Sequence, residues 1–315
     1  MISPTTRVLL WTACGDALGV PHENVERPEG PLLMTGRPQH GFGPGEWSDD
    51  TSLTIAIAIA ALRGTGDGFL ERVAEGFVSW GTHCAKGIGS QTKYAIASGQ
   101  LARGRDIAAA MTAAARDYPG KNGLRAGNGA LMRAAVVGCL SDDPIQVARL
   151  SADICRLTHF DDDCVASAIL WAEAIRSARV TGRAQVADGL SLLEPHMIDR
   201  WRGLIDEAEN EKTWNQLSRS NRSAVGAFQQ AWATAIRLKS TEHAIKTAIL
   251  AGGDTDTVAA ILAPMSAMLH PEARVPGSWI KVIHGWPGMK SHDLGRLGSG
   301  VDLMREREQG SSLAS

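Results

Sequence analysis

Two short acidic segments stand far apart in this chain: Ser48, Asp49 and Asp50 in "WSDDTSL", and Asp254, Asp256 and Thr257 in "GGDTDTVAAI". Each sets carboxylates and hydroxyls directly before an apolar run. Ser, Thr and Asp are favoured helix N-caps, and negative charge at a helix start stabilises it by roughly 0.3–1 kcal/mol. One side chain suffices for a cap, so the carboxylates present exceed what capping requires. Should the two starts converge, these acids would raise one another's pKa values unless cations lay among them. Oxygen-only donors select hard ions such as Mg²⁺, Mn²⁺ or Ca²⁺ over zinc or copper. The spacing does not match an EF-hand loop, so the expectation is a pair of hard divalent ions with one carboxylate bridging.

Three further segments bear on what such ions would act upon. Glu23 in "GDALGVPHE" is an acid near the same loop system, able to serve as a ligand, a proton shuttle or a solvated surface residue. Gly127, Asn128 and Gly129 open the apolar helix "ALMRAAVVG", and the N–H groups of a glycine-rich helix start suit a phosphate, although Gly-Asn-Gly is also ordinary turn chemistry. His159 in "LTHFDDDC" ends an apolar pattern, and Asp161, Asp162 and Asp163 after it read as the start of the next helix. No P-loop, HExxH, GxSxG elbow or dinucleotide fingerprint occurs, which removes support for P-loop hydrolysis, zincin and serine-hydrolase chemistry.

The elements that must position these groups read as helices. Alanine-rich apolar stretches of helical length recur, among them "DIAAAMTAAARDY", "NGALMRAAVVGCL", "CVASAILWAEAIRSARV" and "TVAAILAPMSAML". "TIAIAIA" alternates as a strand would, yet both alternating residues are apolar and the flanks carry helix-start residues, so it is assigned to a buried helix. The 44% hydrophobic content of 315 residues supports a full core, and no linker or repeat divides it. The expectation is one all-α domain over 1–290, with 291–315 a polar tail forming a short helix or fraying. Net charge is −2, which offers no basic field for nucleic acid or membrane. The N-terminal apolar stretch is too short for a signal or a span, and five cysteines without a CxxC pair read as reduced thiols, so a cytoplasmic protein is expected. Glycine and proline gather in loops before helix starts, where sites are commonly built: 27–47, 85–92, 118–129 and 250–256.

Taken in order, "GDALGVPHE", "SDDTSL", "GIGSQT", "GNGALMR", the "TH" at Thr158 and "GGDTDTVAAI" resemble the ADP-ribosylglycohydrolases, over residues 7 to about 265. That group includes dinitrogenase-reductase-activating glycohydrolase and the ADP-ribosylarginine and ADP-ribosylserine hydrolases. The resemblance implies a compact all-α fold with two divalent cations, Mg²⁺ or Mn²⁺. It assigns Ser48, Asp49, Asp50, Asp254, Asp256 and Thr257 as metal ligands and Glu23, Asp49 and Asp50 to catalysis. Gly89, Ser90, Gly127, Asn128, Gly129 and His159 would contact ADP-ribose, and the 27–47 loop would act as a flap. Two positions depart from the pattern: Ser48 stands where many relatives have threonine, and Gly87 where many have an aspartate.

The function so implied is hydrolysis of ADP-ribose from a modified side chain of a partner protein, arginine foremost, by a monomer. Two rivals are an O-linked or O-acetyl-ADP-ribose hydrolase on the same scaffold, and an immunity protein that neutralises an ADP-ribosylating toxin. The retained metal ligands and the short segment before Arg7 favour catalysis.

Overall fold

In a computed structural model, residues 2–26, 28–102, 106–120, 125–210, 212 and 221–313 are described. The expected loop contacts at Arg27 and at residues 121–124 lie outside them. Helix α1 (Pro4–Gly19) starts where the Ser3 side chain accepts from Thr6 N–H and Pro4 supplies a preset φ. Nearly every later residue of α1 is buried, as befits a helix apolar on all sides. Gly15 and Gly19, one turn apart, face helix α11 (Thr255–Leu269) in backbone contact. A Cβ on Gly15 would lie 2.4 Å from the Ala259 carbonyl oxygen, and one on Gly19 would lie 2.4 Å from Asp256 Cα. This approach sets the end of α1 against the start of α11.

Helix α2 (Asp49–Ala61) contains the alternating "TIAIAIA", and Leu53, Ile55 and Ile57 are wholly buried. Around these three helices stand α3 (Phe69–His83), α4 (Ser90–Leu101) and α5 (Ile107–Asp117) on one side. The amphipathic α6 (Pro144–Arg156) packs on the long α7 (Asp162–Thr181), followed by α8 (Pro195–Glu209), α9 (Ala224–Arg237) and α10 (Thr241–Leu250). A single-turn α12 (Gly277–Val282) and a two-residue hairpin, β1 (His284–Gly285) with β2 (Met289–Lys290), lead to α13 (Ser291–Leu313). One hydrophobic core joins these elements, giving the expected all-α, single-domain fold. Among the described residues no helix is long and apolar enough to cross a membrane, and all five cysteines are unpaired.

Two sequence readings are corrected. "NGALMRAAVVGCL" is no α-helix but two short 3₁₀ turns, Leu131–Arg133 and Val137–Cys139, with i→i+3 bonds such as Ala134 N–H to the Leu131 carbonyl (3.0 Å). Tertiary packing overrides alanine's helix preference here, since residues 130–140 are all buried and Gly138 lies against the backbone of α7, where a Cβ would come within 2.3 Å of the Ala172 carbonyl oxygen. Residues 291–313 are likewise no short or frayed helix: α13 runs 23 residues and docks on α1 and α2. Leu294, Leu297 and Val301 are buried along one face, and Asp302 accepts from Thr5 N–H (3.2 Å) and Thr5 Oγ1 (2.8 Å), capping the start of α1. The glycines that suggested fraying permit contact instead, for a Cβ on Gly298 would lie 2.4 Å from Thr6 N.

Candidate metal centre and cleft

Three helix ends meet at one point. Asp16 near the end of α1, Asp50 in the first turn of α2 and Asp256 in the first turn of α11 each direct a carboxylate oxygen to within 4.8 Å of the other two. All three are buried. Glu23, Asp254 and Asp256 form a second group under the same limit, so Asp256 belongs to both.

Asp16 holds this arrangement together, and its role escaped the sequence reading. Its two oxygens accept from Ser48 N–H (2.9 and 3.0 Å), and Oδ2 also accepts from Thr51 N–H (3.0 Å) and Thr51 Oγ1 (2.6 Å). A carboxylate from α1 thus satisfies the free N–H groups at the start of α2. Lying inside a helix with no neighbouring acid, it gave no pattern in sequence; only its place in "GDALG" hinted at it.

Asp50 is differently placed. Its Oδ2 accepts from Ser48 Oγ (2.8 Å), while its buried Oδ1 has no hydrogen-bond partner among the described residues. Asp254 does not cap α11 with its side chain; its Oδ2 accepts from Asn128 Nδ2 (2.7 Å). Burial, reinforced by neighbouring carboxylates, pushes the carboxyls of Asp49, Asp50 and Asp256 well above the usual range. For Asp16 burial also dominates, countered by the Thr51 and Ser48 hydrogen bonds, and the value is about 6. A buried oxygen with no donor, among Asp16, Asp50 and Asp256, none of which is ion-paired among the described residues, is a donor set that fits a hard divalent ion.

The centre forms the floor of a cleft of about 2030 Å³. Glu23, Asp49, Asp254, Asp256 and Thr257 line it together with Gly89, Ser90, Gly127, Asn128, Gly129 and His159; Ser48 and Asp50 are buried outside that lining. Asp49 stands outside both three-carboxylate groups. A Cβ at Gly87 would come within 2.7 Å of Asp49 Oδ1, and Gly87 has φ +81°, so a side chain there would be strained and would crowd Asp49. The glycine at that position therefore agrees with how Asp49 is placed.

The glycine loop acts otherwise than as a helix start, because no α-helix follows it. Gly127 pairs with Ser223 in an isolated bridge, and Asn128 Nδ2 donates to the Asn221 carbonyl (2.9 Å) as well as to Asp254. Asn221, also unforeseen, accepts from Asp254 N–H at Oδ1 (3.1 Å) and donates to the Gly252 carbonyl (2.9 Å). Gly252 and Gly253, at φ +78° and +81°, allow this tight turn. Asn128 and Asn221 are thus supports for Asp254.

Glu23 is held at both oxygens, by Arg37 from the 27–47 loop (2.5 Å) and by Asn24 Nδ2 (2.9 Å). That loop is fastened at its later part. Arg37 bridges Phe42, Trp47 N–H donates to the His284 carbonyl (3.0 Å) and His284 N–H to the Gly45 carbonyl (3.0 Å). Pro28 and Glu29, ahead of the fastened part, border the cleft.

The family model for ADP-ribosylglycohydrolase matches residues 5–311, and the chain belongs to that family. Members hydrolyse ADP-ribose linkages and are generally dependent on divalent metal; the buried acidic groups described above could hold one. A solved structure titled "ADP-ribosylglycohydrolase-related protein complex" shares the fold at TM-score 0.73 and 23% identity, over 96% of this chain and 98% of that one. No curated protein sequence matches the chain.

Proposed function

We propose that this protein is a divalent-metal-dependent hydrolase that removes ADP-ribose from modified arginine side chains, cleaving the C1″ N-glycosidic bond. Water adds its hydroxyl to C1″ and its proton goes to the departing guanidine nitrogen. The observation that carries this reading is the meeting of Asp16, Asp50 and Asp256 at the cleft, with Asp50 Oδ1 left without a donor among the described residues.

Ser48, Asp50, Asp254, Asp256 and Thr257 would hold two ions, Mg²⁺ or Mn²⁺, with Asp256 as the shared carboxylate. Asp49, on the cleft wall, would join them or orient water. When bound, such cations supply Lewis-acid charge to ribose hydroxyls and lower the pKa of water. Asp16 keeps the start of α2 in register beneath them. Glu23, fixed by Arg37 and Asn24, is positioned to exchange a proton at the cleft wall. Gly89, Ser90 and the Gly127–Gly129 loop would line the ADP-ribose.

An arginine acceptor is favoured over a neutral serine or acetyl group because the cleft border beside the acidic floor carries Glu26 and Glu29, which attract a cationic leaving group. The unpaired cysteines suit a reducing cytoplasm. Incubation with arginine-linked, serine-linked and O-acetyl-ADP-ribose, with and without chelator, tests the reading. Release from arginine that stops with chelator is expected. Turnover of only the O-linked substrates, or turnover indifferent to chelator, would contradict it.

A further inference from the structure

Behind His159 lies a buried chain of polar contacts unrelated to the acids. Arg133, in the 3₁₀ turn Leu131–Arg133, is only 1% exposed and has no carboxylate within hydrogen-bonding reach among the described residues. Its guanidinium donates instead to the Gly129 carbonyl (2.5 Å) and to Thr158 Oγ1 (2.6 Å), and lies 4.7 Å from the Phe77 ring centroid. Thr158 Oγ1 in turn is 2.7 Å from His159 Nδ1.

The directions of these bonds can be assigned. A guanidinium only donates, so Thr158 Oγ1 accepts from Arg133. Thr158 is wholly buried, and among the described residues its hydroxyl proton has one remaining acceptor, His159 Nδ1. Were Nδ1 protonated, both groups would present hydrogens and the Thr158 proton would be buried without a partner, which costs about 1–3 kcal/mol. Burial, together with the charge of Arg133, holds the His159 pKa at about 3, so the ring is neutral. Its proton therefore sits on Nε2.

Nε2 has no hydrogen-bond partner among the described residues, and His159 belongs to the lining of the cleft. The glycine loop lies over the ring: Cβ atoms on Gly127 and Gly129 would stand 3.4 and 3.1 Å from Nε2. The geometry points to Arg133 and Thr158 as positioning residues that lock His159 as the Nε2–H tautomer, so that it gives one fixed hydrogen bond to an acceptor oxygen of the ligand. His159 is then a donor and not a general base. Through the Gly129 carbonyl the same arginine ties the glycine loop to the imidazole, so ring and loop act on the ligand as one unit. This inference rests on the reading of the cleft as an ADP-ribose site only for the identity of that ligand.

Long-range ¹H–¹⁵N correlation spectra of ¹⁵N-histidine-labelled protein at neutral pH read the tautomer directly, without ligand. The wild type should show His159 protonated at Nε2 alone, and a ring protonated at Nδ1 would overturn the proposal. In Thr158→Val the two tautomers should mix and ADP-ribose affinity fall about tenfold, while Thr158→Ser keeps both properties. A folded valine variant with unchanged tautomer and affinity would also overturn it. If the valine variant does not fold, the wild-type spectrum and the affinity of the serine variant decide. An Nε2–H ring in a protein that does not bind ADP-ribose would leave the lock standing and remove the reading of the cleft.

Discussion

Glu23, the proposed proton-exchanging residue, is tied to the loop 27–47 through Arg37. Its oxygens are both occupied, by a charge-assisted bond from Arg37 and an amide bond from the adjacent Asn24, whose own φ of +66° fixes the turn. In the proposed reaction a carboxylate so restrained would contribute by orientation. Glu23→Gln and Arg37→Ala should therefore each lower kcat by about tenfold or more while changing the ADP-ribose Kd by about twofold or less. Steady-state kinetics alongside calorimetry check this; equal losses in both would make Glu23 a binding residue. At this scale the sequence spoke unevenly. The acids before α2 and α11 were legible because adjacent carboxylates at helix starts exceed what capping needs. Asp16, Asn128 and Asn221 were not read as supports, because a lone polar residue reveals its hydrogen-bond partners only once distant segments meet.

Among the elements, the contact of α1 with α11 fixes the centre. Gly15 and Gly19 let the two backbones touch, and this places Asp16 beside Asp256. In Gly19→Ala the new methyl would lie 2.4 Å from Asp256 Cα, within a contact made by backbone on both sides. We expect a loss of about 1–3 kcal/mol in denaturant melts, together with weakened metal binding, since the helices must part where the acids meet. A surface helix glycine such as Gly203, which has nothing near its Cβ, should tolerate the same change without loss. Composition showed the helices but not their approach. Glycines in α13 read as fraying and alanines before Leu140 read as α-helix; packing gave the first a docked helix and the second a pair of 3₁₀ turns.

For the whole molecule, burying several carboxylates together costs stability that a bound cation would offset. The carboxyls of Asp49, Asp50 and Asp256 lie well above their usual range, and that of Asp16 at about 6. The metal-free folded protein thus keeps protons that the unfolded chain releases near the ordinary carboxylate pKa. The stability these groups contribute is fully present below that ordinary value and is lost as pH rises through the raised values. Metal ligands must be deprotonated, so Mg²⁺ acts in the opposite sense. The rise in melting temperature on adding Mg²⁺ should therefore be larger at about pH 8 than at about pH 5.5. Scans in chelator and in Mg²⁺ measure it, and an increment independent of pH would speak against these carboxylates as the ligands.

The central claim is that helix ends far apart in sequence close around divalent cations. Calorimetric titration of chelator-treated protein with Mn²⁺ tests it most directly, comparing the wild type with Asp256→Ala, which removes the carboxylate common to both acidic groups. Saturable binding of two ions by the wild type, with at least one lost in the variant, is the predicted result. No saturable binding, or the same isotherm for both proteins, would contradict the account.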